Sequence, residues 1–286
     1  MEGGWKTWSR PGIRVNNLPG QYTKIAYRRC CVLLSSDRHR LAREAILPAR
    51  ILFIHPMGTD MYNQWTLEVL GPAAAPGTEI GVRHLPGLPA TPFVPDTDLW
   101  RDEFLEAVVA AEKEGFDVVA TACTSDPLVR EAKGLVGIPV TGPFEALSHT
   151  APAMGPLTII ASGYKIDTWA PRAVAHGFTP GMVNVRMADF SHPDPETAER
   201  LFATDVGKLL DIVMAEMERA LIEDGIEQAR RASVEDGAAS VFFACSLWSG
   251  MLGRVSKQVP AVAVLDPLVM PLKYAEYLAS LYRLFR

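Results

Sequence analysis

Short apolar runs alternate along the chain with longer segments in which apolar residues recur at the spacing of an α-helix. The runs are rich in branched and aromatic residues, as buried parallel strands are. The predicted strands are 50–55, 78–85, 116–123, 138–140, 156–161, 182–187, 239–245 and 259–265. Strands that alternate with helices in this way favour an α/β fold, with parallel sheets flanked by helices on both faces.

The two halves of the chain repeat one pattern. In each half a charged residue and a glycine precede an apolar run that ends in Ala-Cys, at Cys123 and Cys245, and a hydroxyl residue follows. The next apolar run of each half contains a proline, Pro139 or Pro260. The repeat predicts two similar lobes related by a pseudo-twofold axis. Because ligands of parallel sheets bind at the carboxyl ends of strands, the active site is expected in the cleft between the lobes.

The pattern also sets the expected domain boundaries. The first α/β lobe spans 50–155 plus the closing segment 266–286, and the second lobe spans 156–265. Residues 1–48 show no clean periodicity, and we expect them to form a poorly ordered N-terminal extension. The alternative is that its tryptophans dock on the body or on a partner subunit.

Local signals refine the helices. The stretch from Asp205 to Glu235 is helical in pattern, with a break expected near Gly225. Asp126 is predicted to cap a helix whose first residue is Pro127, where a missing N–H costs little.

Composition places the chain among ordinary globular proteins. Its 286 residues are 48% hydrophobic and 21% charged, which supplies ample material for a core. A net charge of −5 without a Lys/Arg-rich block gives no reason to expect nucleic-acid binding. The chain has neither an apolar run of membrane-spanning length nor a secretory signal. We therefore expect a cytoplasmic protein that binds a small-molecule substrate and assembles as a homo-oligomer, with neither nucleic acid nor membrane as a partner.

Four cysteines are too few for a disulfide scaffold in a chain of this length. They are Cys30, Cys31, Cys123 and Cys245, and none has the spacing of a zinc knuckle or a redox pair. We expect no metal and no cofactor.

A cysteine at a strand end is usually a small buried hydrophobe, but two at matched positions favour a shared chemical role. The helix N-terminus that follows each one stabilises a thiolate. Two thiols on opposite faces of a substrate suit 1,1-proton transfer. One thiolate removes the proton from a carbon acid, and the other thiol returns a proton to the opposite face.

The motifs resemble the cofactor-independent Asp/Glu/hydantoin racemase superfamily, and most of all its hydantoin racemase group. The matching segments are 122–128, 138–142, 145–151, 235–245 and 259–267, within a similarity that covers about 50–286. The resemblance implies an isomerase that racemises or epimerises a carbon acid, such as a 5-substituted hydantoin or an amino-acid derivative. Cys123 and Cys245 would be its catalytic acid and base.

The chain departs from the family pattern at two places. The first strand usually ends in Asn-Pro-Asn-Ser/Thr, whereas this chain has the segment His55 to Thr59. The second cysteine usually lies in Gly-Cys-Ala-Gly-Met, whereas here Trp248 follows closely. The candidate substrate-binding residues are His55, Thr59, Thr124, Ser246 and Trp248. For His55 the alternative is a hydrogen-bonded structural histidine, and for the hydroxyl residues it is helix capping.

Other functions stay open from the residues alone. Within the superfamily they are a decarboxylase, which needs only one thiol, and a cis–trans isomerase. Outside it, the chain could be a non-catalytic two-lobed protein whose cysteines line a small-molecule site.

Overall fold

The computed structural model describes residues 49–94, 97–162, 166–190 and 193–284. All of them belong to one compact unit, Leu47–Arg286. The predicted N-terminal extension, 1–48, lies outside the described residues. Within the part of the chain that the structure describes, no helix is both long enough and apolar enough to span a bilayer.

Two four-stranded parallel sheets form the framework, in the orders β2-β1-β3-β4 and β6-β5-β7-β8. The strands are β1 (Arg50–Ile54), β2 (Glu79–Arg83), β3 (Val118–Thr121), β4 (Val140–Thr141), β5 (Leu157–Ser162), β6 (Val183–Ala188), β7 (Ser240–Phe243) and β8 (Ala263–Leu265). The second sheet repeats the strand order of the first. The predicted α/β fold with two similar parallel sheets is confirmed.

Helices cover the sheets. They are α1 (Asn63–Leu70), α2 (Thr97–Lys113), α3 (Val129–Ala132), α4 (Pro143–Thr150), α5 (Ile166–Ala175), α6 (Pro195–Thr204), α7 (Val206–Ala220), α8 (Ile226–Glu235), α9 (Gly253–Gln258) and α10 (Val269–Leu284). A π-helical segment, Leu221–Gly225, joins α7 to α8. The break expected near Gly225 is therefore a widened turn within a continuous helical stretch. Gly225 fits there because a Cβ would lie 3.2 Å from the ring of Phe243.

The closing helix α10 packs on the first sheet, although it follows the second sheet in sequence. Leu272 and Ala275 of α10 join one buried cluster with Ile51 and Phe53 of β1. Burying a leucine side chain contributes roughly 1.5–3 kcal/mol. The apolar face of α10 therefore returns the chain to the sheet where it began.

The strand register sets which residues meet at the carboxyl edge of each sheet. Ile54 of β1 pairs with Thr121 of β3, and Ile160 of β5 pairs with Phe243 of β7. The residues that follow these pairs leave the carboxyl edge of each sheet, and they include the two cysteines of the repeat.

Candidate active site

Both cysteines of the repeat lie just beyond a central strand. Cys123 follows β3 by two residues, and Cys245 follows β7 by two residues. Both are free thiols of intermediate exposure. Equivalent positions in the two sheets thus carry the same side chain, as the repeat predicts.

Reciprocal hydrogen bonds join the two cysteine segments. The Thr124 hydroxyl donates to the Ala244 carbonyl oxygen at 3.1 Å. The Ser246 hydroxyl donates to the Ala122 carbonyl oxygen at 2.6 Å. Each bond runs from the residue after one cysteine to the residue before the other. The two strand ends therefore lie side by side, and both thiols emerge from one small region.

The surroundings of the two thiols differ. Burial raises the pKa of Cys245 to about 11; the Leu247 N–H opposes this shift, and nearby Cys123 adds to it. At neutral pH Cys245 is therefore a protonated thiol. The Cys123 sulfur lies 3.2 Å from the Ser125 hydroxyl oxygen, within hydrogen-bond distance. The raised pKa thus concerns Cys245, whereas Cys123 has a hydroxyl oxygen within hydrogen-bond distance of its sulfur.

Tyr62, which sequence reasoning missed, also lies near Cys245. Burial raises the pKa of its phenol to about 12, and Cys245 contributes to the rise. Together with Met57 and Met61 it belongs to the same buried cluster as Trp248 of the second half. The turn after β1 therefore packs against the core of the second sheet. The sequence signal for this packing was the apolar spacing Met-x-x-x-Met-Tyr in that turn.

His55 follows β1 and is only 5% exposed. Its Nε2 atom lies 2.7 Å from the Thr66 hydroxyl oxygen of α1, and its backbone N–H donates to the Arg83 carbonyl. Burial lowers the pKa of His55 to about 4, and His84 adds to the effect. The imidazole is therefore neutral at physiological pH and is held between β1 and α1.

The loop after Cys123 differs from its prediction. Asp126 does not cap a helix beginning at Pro127, because α3 begins at Val129 and Asp126 has a φ of 45°. Its Oδ2 atom instead accepts the backbone N–H of Glu145, at the start of α4. Burial raises the pKa of this carboxyl well above its usual range. Asp126 thus ties the cysteine loop to a helix that comes later in the chain.

A comparison with family models decides the classification. Residues 51–275 match the model described as Asp/Glu/Hydantoin racemase. The chain belongs to the Asp/Glu/hydantoin racemase family. The resemblance seen in the cysteine motifs is confirmed, and with it membership of a family of racemases, which are isomerases. A search of curated proteins found no match.

Solved structures of racemases share the fold. An allantoin racemase from Klebsiella pneumoniae is 23% identical, with a TM-score of 0.63 over 82% of this chain and 88% of that chain. An allantoin racemase from Pseudomonas fluorescens is 21% identical, with a TM-score of 0.61 over 81% of this chain and 91% of that chain. At this level of identity the likeness concerns the fold.

The residues that depart from the family pattern have defined places. The Trp248 side chain is fully buried; its indole N–H donates to the Met217 carbonyl at 3.2 Å, and its ring packs edge-on against Phe243. The Thr59 hydroxyl accepts the Met61 N–H at 3.4 Å. Direct substrate contact by Trp248 and Thr59, as by His55, Thr124 and Ser246, stays a prediction. Among the described residues, no group of three His, Cys, Asp or Glu side chains forms a candidate metal site.

Proposed function

We propose that the protein is a cofactor-independent racemase or epimerase in which Cys123 and Cys245 are the two acid–base groups. The reciprocal hydrogen bonds between the cysteine segments carry the proposal, because they hold two thiols from equivalent strand ends close together. Family membership supports the reaction class. A pseudo-twofold arrangement, with a cleft between the two lobes, would place the thiols on opposite faces of one carbon.

The proton moves as follows. In one direction the Cys123 thiolate removes the proton from the carbon acid, and the electron pair of the C–H bond passes to the adjacent carbonyl to give an enolate. The Cys245 thiol then donates its proton to the opposite face of that carbon, and the carbonyl is restored. Cys123 ends as a thiol and Cys245 as a thiolate, so the reverse reaction starts from the state in which the forward reaction ends.

The local electrostatics match these roles. The raised pKa of Cys245 keeps it protonated at neutral pH, as a proton donor requires. When Cys245 becomes a thiolate, the N–H of Leu247 stabilises its charge. Cys123, whose sulfur lies within hydrogen-bond distance of the Ser125 hydroxyl, is the proposed base.

A 5-substituted hydantoin or a related ureide is the proposed substrate class. Its ring carbon is flanked by a carbonyl, so loss of the proton gives a stabilised planar enolate. Two allantoin racemases share the fold, and allantoin is a 5-substituted hydantoin. A cytoplasmic location and assembly as a homo-oligomer remain expectations, which cell fractionation and light scattering test.

The test uses enantiopure allantoin and 5-isopropylhydantoin in deuterated water. Circular dichroism follows racemisation and proton NMR follows loss of the C5 hydrogen, both against an enzyme-free control. We expect both signals with the wild-type protein. Cys123→Ser and Cys245→Ser should each lower racemisation by about 10²–10⁴-fold, the usual contribution of an acid–base group. Cys30→Ser is the matched control, because Cys30 lies outside the family match at 51–275.

The outcomes separate the alternatives. Loss of carbon dioxide from a malonate-type substrate would favour a decarboxylase, and interconversion of a cis alkene would favour a cis–trans isomerase. If no carbon acid of the panel exchanges its hydrogen, while a hydantoin binds equally to wild type and both cysteine variants, the protein is a binding protein and the proposal is wrong.

A further inference from the structure

The residue after each cysteine reaches across to the other half of the molecule. The hydroxyl clasp is defined here as the pair of bonds from Thr124 to the Ala244 carbonyl and from Ser246 to the Ala122 carbonyl. Thr124 is only 8% exposed, and its bond is buried. Both hydroxyls therefore have acceptors within the protein. Removing either hydroxyl would leave a carbonyl oxygen without this hydrogen-bond donor.

The clasp acts on the backbone that carries the thiols. Its acceptors are the carbonyl groups directly before Cys123 and Cys245, so each bond holds the peptide group attached to a cysteine Cα. Its donors are the residues directly after the cysteines. Each cysteine is thus held on both sides. The hydroxyl of the residue after it donates to the other cysteine segment, and the carbonyl of the residue before it accepts the hydroxyl of that segment.

A further bond between the halves supports the same segment. Arg172 of α5 donates to the carbonyl of Ser125, and the Ser125 hydroxyl is within hydrogen-bond distance of the Cys123 sulfur. α5 packs on the second sheet, whereas Ser125 follows β3 of the first. Three side chains therefore link the first cysteine loop to the second half of the molecule.

We infer that Thr124 and Ser246 are positioning residues that set the separation of the two thiols. The inference rests on the proposed two-thiol function and assigns these hydroxyls a role other than substrate binding. Proton transfer across one carbon needs both sulfurs in reach during the lifetime of the carbanion. Because a misplacement of about 1 Å costs roughly 10²-fold in rate, a loosened clasp should impair inversion more than proton removal.

The decisive variants remove one hydroxyl each, Thr124→Val and Ser246→Ala, singly and together. Thr204→Val and Ser280→Ala are the matched controls, because their hydroxyls also donate to backbone carbonyls, at exposed sites in α6 and α10. Rescue variants, Thr124→Ser and Ser246→Thr, keep the hydroxyl. For each protein we measure kcat and KM for racemisation, and the ratio of racemisation to C5–H exchange in deuterated water.

We expect kcat for racemisation to fall by about 10–100-fold in the clasp variants, with KM changed less than about twofold. Exchange should fall less, because a thiol that has removed the C5 proton can trade it for a solvent deuteron and return that deuteron to the same face, so the ratio of racemisation to exchange drops. The controls should match wild type, and the rescue variants should recover most of the ratio. A raised KM with unchanged kcat would instead identify the hydroxyls as substrate ligands and overturn the inference.

A readout independent of activity separates this inference from the proposed function. Dibromobimane becomes fluorescent when it bridges two nearby thiols, and Cys123→Ser supplies the blank. We expect bridging in the wild type and slower bridging in the clasp variants. Equal bridging rates in wild type and clasp variants refute the clasp, even if the wild type racemises hydantoins. Slower bridging in a protein that racemises nothing refutes the proposed function alone.

Discussion

Acidification should destabilise the protein through His55, a residue at the carboxyl end of β1. Its pKa is lowered from 6.5 to about 4, mainly by burial. The neutral imidazole is therefore the form that the folded protein accommodates, whereas the unfolded chain binds a proton near pH 6.5. Because the unfolded state then holds more protons, the free energy of unfolding falls as the pH drops below 6.5.

The size of the effect follows from the two pKa values. Each pKa unit corresponds to about 1.36 kcal/mol, so the shift of about 2.5 units sets a limit of roughly 3.4 kcal/mol. About 2 kcal/mol of this is lost between pH 8 and pH 5. The contribution is complete above pH 6.5, decreases through the window between the two pKa values, and is gone below about pH 4.

The assay is urea unfolding at intervals from pH 8 to pH 5, followed by fluorescence. The control variant is His55→Gln, which retains a polar side chain near Thr66 but cannot titrate in this range. The wild type should lose about 2 kcal/mol more than the variant over this interval. Parallel pH profiles of the two proteins would refute the reasoning, because His55 would then titrate alike in the folded and unfolded states.

Three further predictions test individual contacts. Trp248→Phe removes the indole N–H that reaches the Met217 carbonyl and should cost about 1–3 kcal/mol in urea unfolding; an unchanged midpoint would contradict it. Gly142→Ala would place a Cβ 2.3 Å from Asp126 Oδ1 and should lower stability by about 1–3 kcal/mol, measured in the same way. Alkylation of Cys245, followed by mass spectrometry, should accelerate steadily from pH 8.5 to pH 10, because its pKa is about 11; a plateau near pH 9 would argue against burial of the thiol.

The fold could be predicted from sequence because its signals are local. Buried parallel strands such as β1 and β5 appear as short apolar runs. The long segment with helical spacing of apolar residues that ends at Glu235 marks the helical connection between two strands. A break in the helical stretch was predicted near Gly225; in the structure the helix continues there through a π-helical turn. Glycine disfavours a helix interior in general, but here its small size lets the helix approach Phe243.

The candidate site was only partly predictable. Spacing located both thiols because their positions depend on where single strands end. The partners of Thr124 and Ser246 depend on how two distant segments meet, which no local pattern encodes. For the same reason Asp126 appeared to cap the next helix, Pro127 being a favourable first residue, whereas the fold brings the start of α4 to it.

The hydrogen-bonding surroundings of the two thiols differ at the residue two positions beyond each cysteine. Ser125 occupies that position in the first half and offers a hydroxyl to the Cys123 sulfur, whereas Leu247 occupies it in the second and offers only its backbone N–H. Burial then raises the pKa of Cys245 from 9.0 to about 11, so ionising it in the free protein costs about 2.7 kcal/mol more than usual.

Unequal thiols have a consequence for a reaction that interconverts enantiomers. The equilibrium constant is one, so thermodynamics requires kcat/KM to be the same for both enantiomers. Under the proposed mechanism the two directions begin from different protonation states, however: one needs the Cys123 thiolate and the other needs the Cys245 thiolate, which burial disfavours. Any difference between the two directions of the proposed reaction therefore appears as KM and kcat values that change in the same proportion. A racemase built from a sequence repeat can thus keep equal efficiency in both directions while its two halves differ in chemistry.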